Sequence, residues 1–218
     1  MSPTRLYSYY RSSCSWRVRI ALALKGVDYE YVAVNLVRGG GEQHGQDYRE
    51  KNPLAQVPTL EIDGARLTQS VAIIEYLDET RPTPPLLPDS AAERALVRSV
   101  VETINAGIQP LQNLGPLLRI GIIADNGEAE KIAWARHYIS VGFDALERQL
   151  APVSRGCVLG EQITIADLFL VPQVYNARRF GLDLAAYPTL SAIDARLADQ
   201  PAFVAAHPER QPDYPERS

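Results

Sequence analysis

From Arg11 the chain reads Arg11-Ser12-Ser13-Cys14-Ser15-Trp16-Arg17-Val18-Arg19, which gathers three hydroxyls and a thiol where a strand hands over to a helix. The chemistry open to such a junction is to hold an anion, in particular a bound thiolate. The first backbone N–H groups of a helix lack intrahelical partners, and the macrodipole is positive there. Together they favour an anion by about 0.3–1 kcal/mol, more where the site is partly buried. A sulfur anion beside Ser12 would be stabilised by dipole and hydroxyl at once. Cys14 offers a second chemistry, a mixed disulfide. Ser12 and Ser13 read equally well as plain N-cap residues, and the local pattern leaves both readings open.

The elements that must position these residues are legible on either side. Leu6-Tyr7-Ser8-Tyr9 has the alternation and aromatic content of a short strand. Trp16 to Lys25 carries Val18, Ile20, Ala21, Leu22 and Leu24 at helical spacings, with Gly26 as the C-terminal stop and Ser12 to Ser15 in the first turn. A second strand is expected over Tyr29 to Val34, and Gly39-Gly40-Gly41 after it must be loop. Asp63-Gly64 between Thr59–Ile62 and Arg66–Thr68 signals a hairpin. Ser70 then opens a helix with Ile73, Ile74 and Leu77 on one face. The order βαβ–ββα is that of a thioredoxin-like domain, an analogy of fold that carries no chemistry.

Prolines end this pattern. Arg81-Pro82-Thr83-Pro84-Pro85-Leu86-Leu87-Pro88 cannot continue a helix. The expected division is therefore residues 1–81, a linker at 82–89 and a second domain at 90–218. The second domain reads as all-helical, so the fold class is α/β plus all-α. One helix is expected from about Ala91 to Ile108, and another carries Ile132, Ile139, Phe143, Leu146 and Leu150 on a shared face. A third starts at Thr164, where Thr164-Ile165-Ala166-Asp167 resembles a capping box, with Ile163 and Leu168 spaced for a hydrophobic staple. Asp167 is expected to be structural.

Composition narrows the functions. The 218 residues carry a net charge of −4 with no long basic run, which argues against nucleic acid as a partner. No apolar run approaches the roughly 18 residues of a membrane span, and no signal-peptide core follows the first charges, so a soluble cytoplasmic protein is expected. Cys14 and Cys157 are the only cysteines, and neither belongs to a Cys-x-x-Cys pair. His44, His137 and His207 are scattered, so neither a disulfide scaffold nor a metal site is expected.

With these pieces assembled, the chain resembles the zeta class of glutathione transferases. Ser12 through Leu22 is similar to that class's serine-cysteine signature. Further blocks are Asn52-Pro53 with Gln56-Val57-Pro58-Thr59-Leu60, Gln69-Ser70 with Ala72 through Leu77, Ile108 through Leu114, and Ala166 through Gln173. The resemblance covers nearly the whole chain. It implies glutathione as cofactor, contacted by Ser12, Ser13, Cys14, Ser15, Trp16, Arg17, Gln43, Val57, Gln69, Ser70, Gln109, Asn113, Leu114 and Gly115. Gly115 departs from the pattern, since animal relatives have serine there, which leaves only a backbone contact. The resemblance also implies a homodimer.

Some of these implications have a physical reason of their own. Glutathione is a peptide, so the backbone of Val57 can offer it a strand-like pairing. The fold analogy makes the following proline cis; the alternative is an ordinary trans proline in a loop. Gln69 and Ser70 sit at a helix start, which suits the γ-glutamyl carboxylate and equally suits a simple cap.

The activity the resemblance implies is isomerisation of a small dicarboxylic diketo acid, 4-maleylacetoacetate to 4-fumarylacetoacetate, in aromatic amino-acid (tyrosine and phenylalanine) catabolism. Glutathione thiolate adds to the cis double bond, allows rotation and leaves unconsumed. Ser12 is the catalytic hydroxyl and Cys14 a thiol of secondary role. Two substrate carboxylates call for cations, and Arg11 and Arg179 are the candidates, each of which also reads as an ordinary surface arginine. Maleylpyruvate is the close alternative substrate. A transferase or peroxidase acting on haloacids or hydroperoxides, and a noncatalytic binding protein, are further alternatives. Tyr7 reads as a strand residue rather than an activating phenol. Oxidoreductase relatives place cysteine where Ser12 stands, which argues against mixed-disulfide chemistry at Cys14.

Overall fold

The computed structural model describes residues 3–125 and 127–215. The chain packs as two units: one runs through Pro85 and takes in the residues from Asp199 onward, and the other runs from Leu86 to Ala198.

The first unit is built from β1 (Arg5–Ser8), α1 (Ser13–Leu24), β2 (Glu30–Ala33), the short α2 (Gln46–Arg49), β3 (Thr59–Ile62), β4 (Ala65–Thr68) and α3 (Ser70–Thr80). The sheet has the order β2-β1-β3-β4. β1 is parallel to β2, and β3 is antiparallel to β1 and β4. This is the expected βαβ–ββα arrangement, with β2 one residue shorter at each end than its pattern suggested.

Alternation along β1 divides the core, because successive side chains leave a strand on opposite faces. Tyr7 and Tyr9 join Val34, Tyr48 and Val57 in one cluster. Ser8, on the opposite face, accepts a hydrogen bond from Arg19 of α1. The other face is covered by α1 and α3, whose Val18, Ile20, Leu22, Ile73, Ile74 and Leu77 are buried with Leu6 and Leu60. α1 stops at a Schellman turn: Gly26 has φ 62°, and the N–H groups of Val27 and Gly26 return to the carbonyls of Leu22 and Ala23. The Gly39-Gly40-Gly41 stretch forms turns in which all three glycines have positive φ.

The second unit contains α4 (Ala91–Glu102), α5 (Leu114–Ile123), α6 (Glu128–Leu150), α7 (Ile165–Arg179) and α8 (Pro188–Leu197). The run expected to Ile108 does stay helical, but Thr103–Ile108 widens into a π-helical turn. Ile108 lies against Gly142 of α6, where a Cβ would stand 2.3 Å from Ile108 Cδ1. On α6, Ile139, Phe143, Leu146 and Leu150 are buried as expected, while Ile132 is half-buried. The capping box at Thr164 forms. Asp167 is fully buried, accepts from the N–H groups of Val158 and Thr164 at 2.8 and 2.7 Å, and takes Thr164 Oγ1 at 2.9 Å. It is a structural carboxylate.

The two units divide between Pro85 and Leu86. Lys25 Nζ donates to the Pro84 carbonyl on one side, and the Leu86 carbonyl accepts from Ile165 N–H on the other. The sequence division assigned everything beyond residue 90 to the helical domain, whereas the chain from Asp199 onward, including α9 (Pro201–Ala206), packs with the first unit. Several contacts hold it there: Arg19 of α1, 1% exposed, donates from Nε to the Ala206 carbonyl at 3.1 Å, and Phe203 and Ala206 of α9 are buried.

Candidate active site

The Ser12 turn has a specific hydrogen-bond economy. Ser12 is the N-cap of α1 with extended backbone (φ −65°, ψ 116°). Its N–H donates to the Tyr9 carbonyl at 3.0 Å, and its Oγ accepts from the Ser15 N–H at 3.2 Å. A serine hydroxyl has one proton and two lone pairs. The cap uses one lone pair, and among the described residues no acceptor takes the proton, so Ser12 keeps a donor for a ligand. The cap reading and the thiolate reading of the sequence are thus compatible in one geometry. Cys14 is half-buried at the second position of α1. Ser13, Ser15, Trp16 and Arg17 are buried. Trp16 meets the His207 ring edge-on at 5.2 Å.

A second feature suits a peptide. The Gln56 carbonyl takes the Tyr48 hydroxyl and Asn52 Nδ2, each at 2.7 Å, which holds the loop ahead of β3. The Val57–Pro58 bond is cis. Among the described residues, neither the N–H nor the carbonyl of Val57 has a partner, so both remain for an extended backbone laid alongside.

The third feature is the start of α3. Gln69 stands at φ 69°, ψ 117°, a conformation that costs a non-glycine residue about 1–3 kcal/mol and often accompanies function. Among the described residues no side chain caps the helix, so the N–H groups of its first turn stay available. The buried Arg17 donates from Nη1 to Ser70 Oγ at 3.3 Å. A buried cation behind an uncapped helix start favours a carboxylate. Gln43 lies in a short 3₁₀ turn, is 5% exposed, and directs Nε2 at the Leu36 carbonyl (3.4 Å). Its amide covers Gly41, where a Cβ would come within 2.4 Å of it.

These features belong to the first unit; Gln109, Asn113, Leu114, Gly115 and Arg179 belong to the second. Gln109 follows the π-helical turn, and Asn113 is the N-cap of α5, its Oδ1 accepting from Leu114 N–H at 2.9 Å. Gly115 has no neighbour within 4 Å of an added Cβ, so the fold does not require glycine there. Arg11 is half-buried with its guanidinium 6.0 Å from the Tyr10 ring, and Arg179 is exposed and lies 4.6 Å over the Phe180 ring. Arg178 is engaged by Asp194 at 2.7 Å.

The competing groups have other roles. Tyr7 is a strand residue whose hydroxyl lies 3.3 Å from Glu61, and burial together with that carboxylate raises its pKa. Burial pushes the Cys157 thiol up to about 11, which makes it unreactive. Among the described residues, no three His, Cys, Asp or Glu side chains gather as metal ligands, and no helix is long and apolar enough to cross a membrane. What sequence reasoning passed over is Arg19. Its signal was a charge flanked by Val18, Ile20 and Ala21 in a helix buried nearly all round.

The family described as "Glutathione S-transferase, N-terminal domain" matches residues 6–85, and "Glutathione S-transferase, C-terminal domain" matches residues 116–201. A Drosophila melanogaster protein named probable maleylacetoacetate isomerase 2 is 53% identical over 210 residues, 96% of this chain and 90% of its own. The structure of maleylacetoacetate isomerase from Anaeromyxobacter dehalogenans 2CP-1, with GSH bound in its active site, superposes with a TM-score of 0.88 at 47% identity, covering 98% of each chain. A bacterial maleyl pyruvate isomerase, described as a zeta-class glutathione S-transferase, superposes with a TM-score of 0.93 at 42% identity, covering 97% of this chain and all of its own. Matched in both halves and along nearly its whole length, with the serine-cysteine turn at the start of α1, this chain belongs to the zeta class of the glutathione S-transferase family.

Proposed function

We propose that the protein is a glutathione-dependent cis–trans isomerase that converts 4-maleylacetoacetate to 4-fumarylacetoacetate. The observation that carries this reading is the near full-length identity to chains named for that reaction, 53% in the fly protein and 50% in a mouse one. The site geometry supports it. When bound, glutathione supplies a thiolate that adds reversibly to the double bond and leaves again, so the tripeptide is not consumed.

The protein's own residues orient that thiol and hold its charge. Ser12 donates its spare proton to the sulfur, and the α1 terminus adds a favourable dipole. Val57 pairs with the peptide backbone, while Ser70 and the first turn of α3, backed by Arg17, take the γ-glutamyl carboxylate. Gln43, Gln69, Gln109 and the Asn113–Gly115 segment complete the glutathione contacts. Cys14 lines the site as a secondary thiol. Arg11 and Arg179 receive the two substrate carboxylates. The working protein is a cytoplasmic homodimer, which light scattering of the purified chain checks through its mass.

Maleylpyruvate is the second reading, favoured by the TM-score of 0.93 to an isomerase of that substrate. The test is an absorbance assay of 4-maleylacetoacetate against maleylpyruvate, with and without substoichiometric glutathione. Turnover of the former that requires glutathione and leaves it undiminished is expected. Faster turnover of maleylpyruvate would reassign the substrate. Stoichiometric loss of glutathione with a haloacid or hydroperoxide, without isomerisation, would make the protein a transferase or peroxidase.

A further inference from the structure

On the reading that Ser12 faces the bound thiol, we propose that Asp213 and Arg19 are positioning residues that hold the Tyr9–Ser12 turn in the geometry Ser12 needs. The turn is closed by the Ser12 N–H on the Tyr9 carbonyl. Two opposite charges, one on α1 and one from near the other end of the chain, engage the backbone of Tyr9 and Tyr10. Asp213 Oδ2 accepts the Tyr10 N–H at 3.0 Å. Arg19 Nη1 donates to the Tyr9 carbonyl at 3.3 Å, and its Nη2 donates to the Tyr10 carbonyl at 2.9 Å. The Tyr9–Tyr10 peptide plane is therefore pinned at both ends, its oxygen by a cation and its N–H by an anion.

Both charges are themselves fixed. Asp213 Oδ1 accepts the Tyr31 hydroxyl of β2 at 2.6 Å. Arg19 also reaches Ser8 Oγ at 3.1 Å and the Ala206 carbonyl at 3.1 Å, so its donors meet four separate acceptors. The segment that carries Asp213 is seated from both sides. Gln211 Nε2 donates to the carbonyls of Ala205 and His207, each at 2.9 Å, and the Tyr214 ring meets Tyr10 edge-on at 5.4 Å. A rotation of the pinned peptide would swing Ser12 and its cap. Misplacing a catalytic group by about 1 Å can cost about 100-fold in rate. Asp213 thus joins the unit that holds Ser12 across 203 residues of sequence from Tyr10.

The test uses the full chain with Asp213→Ala and Asp213→Asn, the latter an amide that still accepts from Tyr10 N–H and can donate to Tyr31. In ligand-free Asp213→Ala, the Ser12 and Ser15 amides should exchange about tenfold faster, the scale of one lost hydrogen bond. With glutathione bound, its thiol pKa should rise by about one unit, and kcat should fall by more than KM for glutathione rises. Asp213→Asn should lie nearer the wild type in every readout. A folded Asp213→Ala with wild-type exchange, thiol pKa and kcat overturns the proposal. Should that variant fail to fold, Tyr31→Phe releases one Asp213 oxygen and must move the same readouts in the same direction, and no movement overturns the proposal equally. Ser12→Ala separates the two ideas: an unchanged thiol pKa there refutes the role of Ser12, while the amide exchange in ligand-free Asp213→Ala still judges the clamp.

Discussion

Replacing Ser12 with alanine removes two interactions that the structure assigns to one oxygen, and they can be measured separately. The first is the cap. Oγ accepts the Ser15 N–H at 3.2 Å, and losing an N-cap of this kind costs about 1 kcal/mol, or roughly 2–4 °C in Tm for a chain of this length. The second is the proton that the cap leaves spare. A hydrogen bond to a charged group contributes about 1.5–3 kcal/mol, and one pKa unit corresponds to 1.36 kcal/mol. The pKa of bound glutathione should therefore rise by about one to two units in Ser12→Ala. The rise stops short of the free-thiol value, because the α1 dipole still contributes about 0.3–1 kcal/mol. The assay is the ultraviolet absorbance of the bound thiolate against pH, with a thermal melt of the same sample. Ser12→Thr keeps both the acceptor and the proton and should match the wild type in each. A Ser12→Ala protein with the lower Tm but an unchanged thiolate titration would mean that Ser12 only caps the helix, and the reasoning from its hydrogen bonds to its chemistry would be wrong.

Three further outcomes follow from particular residues. Arg19→Met should destabilise the protein by about 3 kcal/mol, since it strands the Ser8 hydroxyl and three backbone carbonyls that the guanidinium satisfies; a thermal melt should read this as roughly 6–12 °C, and a shift below a degree or two would show that these bonds contribute little. Asp167 is pushed up to about 6 by burial, against three donors that favour its charge. The folded state then binds the extra proton between the unfolded value of about 3.9 and about 6, so the contribution of Asp167 to stability falls as pH rises through that window and is flat above it. The unfolding free energy of wild type minus that of Asp167→Asn, plotted against pH, should slope downward there, and an upward slope would mean the donors outweigh burial. Gly115→Ser meets nothing within 4 Å, so denaturant unfolding should change by less than about 0.5 kcal/mol. A lower KM for glutathione in that variant would mark a side-chain contact, while a loss of stability would contradict the open space around the position.

Local signals were sufficient for the first unit as far as α3. The alternation at Leu6–Tyr9, the helical spacing up to Gly26, the Asp63-Gly64 hairpin and the Ser70 helix start each act over a few residues, and each produced its element within a residue or so. The capping box at Thr164 was legible for the same reason. Less local features were not. The widening of the helix at Thr103–Ile108 accompanies the close contact of Ile108 with Gly142, which no window around residue 108 contains. α8 and α9 do open on prolines at their first positions, Pro188 and Pro201, but a start signal does not say which unit a helix packs with.

The sequence by itself determined the element order of the sheet domain, the chemical character of the Ser12 turn and membership of a family, because propensity, capping and motif spacing are properties of neighbouring residues. Only the tertiary structure decided that, among the described residues, the Ser12 proton and the Val57 backbone are left without partners, and that α9 and Asp213 return to the first unit rather than staying with the helices before them. Those facts depend on where hydrogen-bond partners from distant segments end up. A buried arginine such as Arg19 finds its acceptors in space and not along the chain.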